Sequence, residues 1–114
     1  MENNHYEIPM QKLDAYRVAM QIARCVHESK IRDAELRDQA TRASKGCFLT
    51  LCEGLPNDSV PMRRKYFAMS RGSLHEVVGA MDLAAAIGAV DEEAAREILA
   101  LAARLRKMLG ALLR

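Results

Sequence analysis

Apolar residues recur along this chain in steps of three and four over four stretches, with polar residues between them. From Gln11 to Glu28, Leu13, Tyr16, Met20 and Ala23 form one stripe and Ala15, Ala19, Ile22 and Val26 the next, while Asp14, Arg17, Gln21, Arg24 and Glu28 form the wet side. This is the period of an amphipathic helix and not the alternation of a strand. A second stretch opens at Asp33, an N-cap residue type with Glu35 in the first turn. It repeats Leu36, Ala40, Ala43, Cys47 and Leu51 before Gly54, which reads as a C-terminal glycine. Ser59 caps the third stretch with Pro61 in its first turn, and Gly88 stops it. Asp91 caps the fourth, with Glu92 and Glu93 at its positive end and Arg106, Lys107 and Arg114 toward its negative end. No strand pattern competes. Short connections force successive helices to run antiparallel, so the pattern predicts an all-α, up-down-up-down four-helix bundle over residues 11–114. Residues 1–10 read as a flexible N-terminal arm in which Tyr6, Ile8 and Met10 alternate.

The third stretch carries two adjacent stripes. Tyr66, Met69, Ser73, Glu76, Ala80, Leu83 and Ile87 hold a carboxylate at their centre, while Phe67, Ser70, Leu74, Val77, Met81 and Ala84 are apolar apart from one hydroxyl. A carboxylate facing a core needs a partner, because an unpaired buried charge costs several kcal/mol or more. With a hairpin closing near Asn57, Gln39 is level with Glu76, and Arg42 is about one turn away beside Gly72 and Ser73. The expectation is therefore an inward polar network of Gln39, Arg42, Glu53, Arg71, Ser73 and Glu76, with a bidentate Arg42–Glu76 pair that fixes helix register.

The fourth stretch has more apolar surface than one bundle buries: Ala94, Ile98, Leu101, Leu105, Met108 and Leu112 on one stripe, Ala95, Leu99, Ala102, Leu109 and Leu113 on another. Gly72 and Gly79 leave space for close approach on the third. Self-association through these two helices is the expectation.

The formal charge of +2 does not by itself select a partner. Charge is nevertheless clustered, with Arg63, Arg64 and Lys65 opening the third helix and Arg104, Arg106, Lys107 and Arg114 closing the fourth. These are the candidate phosphate contacts, and self-association would multiply them. Three cysteines, odd in number and without C-x-x-C spacing, fit reduced thiols in a cytoplasmic chain. No stretch has the ~20 apolar residues of a membrane span, and the first residues lack the pattern of an export signal. The competing class is a small-molecule or metal-dependent enzyme with its site in the bundle or at a subunit interface. Against it, the Glu-x-x-His pairs of a di-iron bundle are missing, no Cys/His spacing suggests zinc, and a Cys47 or Cys52 nucleophile would need His75 as its base. No cofactor or metal is expected.

Taken in order, Gln39-x-x-Arg42-Ala43, Glu53-Gly54 and Arg71-Gly72-Ser73-Leu74-x-Glu76 resemble the signature of the large-subunit rRNA intervening-sequence proteins, a four-helix-bundle family that includes the accessory variability proteins of diversity-generating retroelements. The resemblance runs from about Lys12 to Gly88, and the last helix matches only in type. Gly46 and Thr50 stand where the family pattern has a serine and an asparagine, and the first loop is shorter. The resemblance implies a small cytoplasmic bundle that assembles into a pentameric ring. In the retroelement branch it implies an adaptor for nucleic acid and a reverse transcriptase.

Overall fold

The computed structural model describes residues 10–114, with side chains from Asp14 onward. Four helices follow one another: α1 (Met10–Glu28), α2 (Ala34–Gly54), α3 (Val60–Ala86) and α4 (Glu92–Leu113). Residues 1–9 of the expected arm, with Tyr6 and Ile8, lie outside the described residues, as does the side chain of Leu13. The helix begins at Met10, one residue inside the expected arm boundary.

Each helix packs on its neighbours in sequence and α4 closes on α1, while the diagonal pairs stay apart. The result is the predicted antiparallel four-helix bundle. Its core is made by Ile22 of α1, Leu51 of α2, Phe67, Leu74, Val77 and Met81 of α3, and Ile98, Leu105 and Leu109 of α4, all fully buried. Burial of this kind supplies most of the folding free energy, at ~25 cal/mol per Å² of apolar surface.

The helix starts are those read from the sequence. Asp33 accepts from the Leu36 amide at 2.9 Å, Ser59 from Met62 at 3.3 Å and Asp91 from Ala94 at 3.1 Å, each satisfying a donor the helix leaves free. Asp33→Ala is expected to cost about 1 kcal/mol, read as a lowered midpoint in urea. Gly88 adopts φ +71 after α3, the left-handed turn that favours glycine. Just beyond it, Arg32 reaches across from the α1–α2 loop: its amide donates to the Ala89 carbonyl at 2.7 Å and its guanidinium to the Gly88 carbonyl at 2.8 Å. The two loops at this end of the bundle are thereby tied together over buried Ile31 and Val90.

Gly54 plays a different part from the one expected. It is the last residue of α2, followed by Leu55 in the right-handed helical region, and so it provides no left-handed cap. A Cβ at Gly54 would lie 2.7 and 2.9 Å from the Phe67 ring. Glycine stands there because α3 comes too close for any side chain.

The register between α2 and α3 is held by a buried hydroxyl. Ser70 Oγ donates to the Cys47 carbonyl at 2.8 Å, and the Cys47 Sγ lies 3.4 Å from Ser70 Oγ. Since the single hydroxyl proton goes to the carbonyl, the thiol donates to Ser70 Oγ. Burial pushes the Cys47 thiol up.

Candidate functional site

Two adjoining faces of α3 carry the residues singled out in the sequence. Toward α2, a Cβ at Gly46 would sit 3.3 Å from Ser73 Oγ, which together with the Cys47–Ser70 contact sets the levels of the two antiparallel helices. One turn away from that contact, Arg42 is level with Glu76; in the other direction Leu49 is level with Met69, and Glu53 with Lys65 and Tyr66. Gln39 is level with Gly79 and Ala80, one turn from where hairpin closure near Asn57 would place it. Ser73 accordingly lies beside Gly46, a turn beyond Arg42.

The expected inward network is corrected at this point. Gln39, Arg42, Glu53 and Glu76 are exposed and Ser73 is half-buried, all on the outer face of the α2–α3 hairpin. Arg71 is half-buried on the other flank of α3, toward α4, and does not join them. The physical reason is that α3 has two apolar stripes and the bundle buries only one. The stripe of Phe67, Ser70, Leu74, Val77, Met81 and Ala84 faces the core, and its one polar member, Ser70, finds its partner on Cys47. Most of the stripe with Glu76 is turned outward, although Ala80 is buried and Tyr66 half-buried: Met69 is 46% exposed, Leu83 51% and Ile87 55%, with Leu49 of α2 alongside at 58%. Gly72 and Gly79 on the same back of α3 face open space. Removal of the Glu76 carboxylate from the single chain by Glu76→Ala is therefore expected to change unfolding free energy by no more than about 0.5 kcal/mol, measured on dilute monomer. A loss of several kcal/mol would put the carboxylate back in the core.

The same inversion occurs on α1. Ala15, Ala19, Ile22 and Val26 are buried, while Tyr16 and Met20 remain exposed, with the Tyr16 ring 5.1 Å from that of Phe48 on α2.

Toward α4, the antiparallel pairing brings the start of α3 and the end of α4 to the same end of the bundle, and with them the two basic clusters. Arg64, Lys65, Arg104, Arg106, Lys107 and Arg114 are exposed. Arg63 is half-buried and already engaged, its guanidinium donating to the Asn57 carbonyl at 3.0 Å, where it braces the α2–α3 turn. Arg106 crosses to α3 and donates from Nε to His75 Nε2 at 3.2 Å, so the imidazole presents a lone pair. Stretches 59–75 and 98–114 contain no Asp or Glu. This pairing of acid-free stretches was visible in the sequence only once the helix register was known, and the His75–Arg106 contact gave no signal of its own.

Cys47 and His75 lie on different sides of α3, the thiol buried against Ser70 and the imidazole exposed beside Arg106, so they do not form a nucleophile–base pair. Burial also raises the Cys25 and Cys52 thiols; at Cys25, Glu97 and Glu28 add to it and Arg24 opposes. Among the described residues no group of three or more His, Cys, Asp or Glu side chains is placed to hold a metal ion, and no helix is long and apolar enough to cross a membrane.

The family model of the 23S rRNA-intervening sequence protein matches residues 11–111, nearly the whole described bundle. The chain belongs to that family. No curated protein matches it at a significant level. Within the 23S rRNA-intervening sequence protein family it is a small four-helix bundle, and the polar residues of its signature fall on the outer α2–α3 face, Arg71 excepted, while Ala43, Gly54 and Leu74 are buried. Positions 46 and 50 each have a local structural part. Glycine at position 46 admits Ser73 at van der Waals range, and Thr50 spends its hydroxyl on its own helix, donating to the Gly46 carbonyl at 2.7 Å.

Proposed function

We propose that this chain is a non-enzymatic scaffold that assembles with copies of itself into a ring and adapts nucleic acid, or an enzyme acting on nucleic acid such as a reverse transcriptase, to that assembly. The observation that carries this reading is the outward stripe of α3. A monomer that leaves Met69, Leu83, Ile87 and Leu49 in water beside two open glycines has an interface without its partner. A second apolar patch around Tyr16, Met20 and Phe48 lies on a different face. Two unlike patches favour head-to-tail contact, which closes rings, over a two-fold dimer. The interface favoured here runs over α2 and α3; on α4 the exposed apolar residues are only Ala100 and Ala103. Light scattering at micromolar concentration should give the mass of a closed oligomer, and a monomer at that concentration rejects the scaffold.

The nucleic-acid half rests on the acid-free stretches 59–75 and 98–114, whose cations, repeated around a ring, would meet phosphates with little sequence preference. Changing Arg63, Arg64 and Lys65 together to alanine should weaken retardation of a nucleic-acid probe and flatten its salt dependence by up to about three phosphate contacts per bound subunit. Retardation that persists unchanged removes this cluster from the site. The helix interior gives an enzyme reading no support, since it is filled by apolar side chains and its Cys47–Ser70 group is satisfied within itself.

A further inference from the structure

Between α3 and α4, on the face away from α1 and α2, runs an open groove of about 330 Å³ lined by Leu74, Val78, Leu99, Ala102 and Ala103, with His75 and Arg106 bridging it at one end. Its floor is apolar and its walls are small. Beyond the bridge the rims are cationic: Arg71 lies four residues before His75 on α3 and Arg64 seven before Arg71, and Lys107 and Arg114 follow Arg106 along α4. The opposite end of the groove has the carboxylate of Asp82 on α3, exposed and seven residues past His75.

We propose that this groove docks an acidic amphipathic helix of a partner protein, a reading that rests on the adaptor role above and names the class of its protein partner. An apolar trough between two helices is the shape that receives the apolar face of a third. Its cationic rims complement carboxylates flanking such a face, and the charge difference between its two ends sets direction, with the carboxylate-rich end of the incoming helix toward Arg71 and Arg64. Nucleic acid fits the groove less well. No Phe, Tyr or Trp lines it for base stacking, and the one imidazole is already held by Arg106.

The test uses the full chain and a fluorescent synthetic helix of about 18 residues, long enough to span the hairpin face. The helix has leucines at i, i+3, i+4 and i+7 and glutamates elsewhere. Two control peptides accompany it, one scrambled to destroy the apolar face and one with lysine for every glutamate. Fluorescence anisotropy should show saturable binding of the acidic amphipathic peptide, with both controls at least about tenfold weaker. Ala103→Glu, at an exposed position that leaves the core untouched, and Arg106→Ala should each weaken it by a similar factor, with circular dichroism unchanged. Equal binding of the scrambled peptide, or indifference to Ala103→Glu, overturns the proposal. A single-stranded RNA of about 20 nucleotides that displaces the peptide and itself loses affinity in Ala103→Glu would instead assign the groove to nucleic acid and also overturn it. Oligomeric mass from light scattering on the same samples reports separately on the scaffold, so failure of the groove and failure of self-assembly give different results.

Discussion

Phe67→Ala is expected to lower unfolding free energy by about 3–5 kcal/mol and the thermal midpoint by roughly 15–30 °C. Phe67 is among the largest fully buried side chains, and its ring occupies the space that Gly54 leaves open. The pair makes a sharper test than the single change. In an ordinary helix interior Gly→Ala stabilises by up to ~1 kcal/mol. At Gly54 the new methyl would meet ring carbons at 2.7 and 2.9 Å, and because that ring is packed on all sides the expected result is a loss of about 1–3 kcal/mol. With Phe67 already alanine the clash is gone and the sign reverses, so that Gly54→Ala becomes neutral or stabilising. A double-mutant cycle in urea measures this coupling. Equal cost of Gly54→Ala in both backgrounds would mean that the glycine is needed for its backbone alone.

Replacing Met69 and Leu83 together by glutamate should abolish the proposed self-assembly without unfolding the chain. Both side chains are about half exposed in the single chain, so folding loses little. In an assembly each would put a carboxylate into a desolvated contact, and two central residues at about 2 kcal/mol or more apiece correspond to roughly a thousandfold weaker association. Sedimentation velocity across a concentration series gives the mass, and circular dichroism gives the retained helix. Unaltered assembly in this variant would place the subunit contact elsewhere and leave the outward stripe unexplained.

How far the sequence told these things depends on which rule was asked. Helix boundaries were legible because they rest on single residues with local geometry. Asp33, Ser59 and Asp91 accept the predicted amide hydrogens, and Gly88 takes the predicted positive φ. Which stripe turns inward was not legible on α1 or α3, because periodicity finds an apolar face without ranking two adjacent ones. Size misleads on α1, where Tyr16 and Met20 face water and the smaller Ala15 and Ala19 are buried; on α3 the two stripes are of similar bulk, and the one with Phe67 and the lone hydroxyl is buried. Glu76 follows from this. A carboxylate in the middle of an apolar stripe argues for a buried pair only if that stripe belongs to this core. The device that does lock α2 to α3 was on the page as the single hydroxyl of the other stripe, Ser70, but its partner is a backbone carbonyl of Cys47, which composition cannot reveal. Gly54 was assigned to a cap for the same reason, since only the packed structure shows Phe67 against it.

The Arg32 tie to Gly88 and Ala89 also makes the bundle mechanically lopsided. At that pole the two loops are cross-braced, whereas at the other the short α2–α3 turn, braced by Arg63, is the sole connection among the described residues. Amide hydrogen exchange is then expected to be slower at the braced pole than at the basic one. The furrow beside Arg71 and Lys107 would flex to the girth of an incoming helix while the opposite rim holds its dimensions.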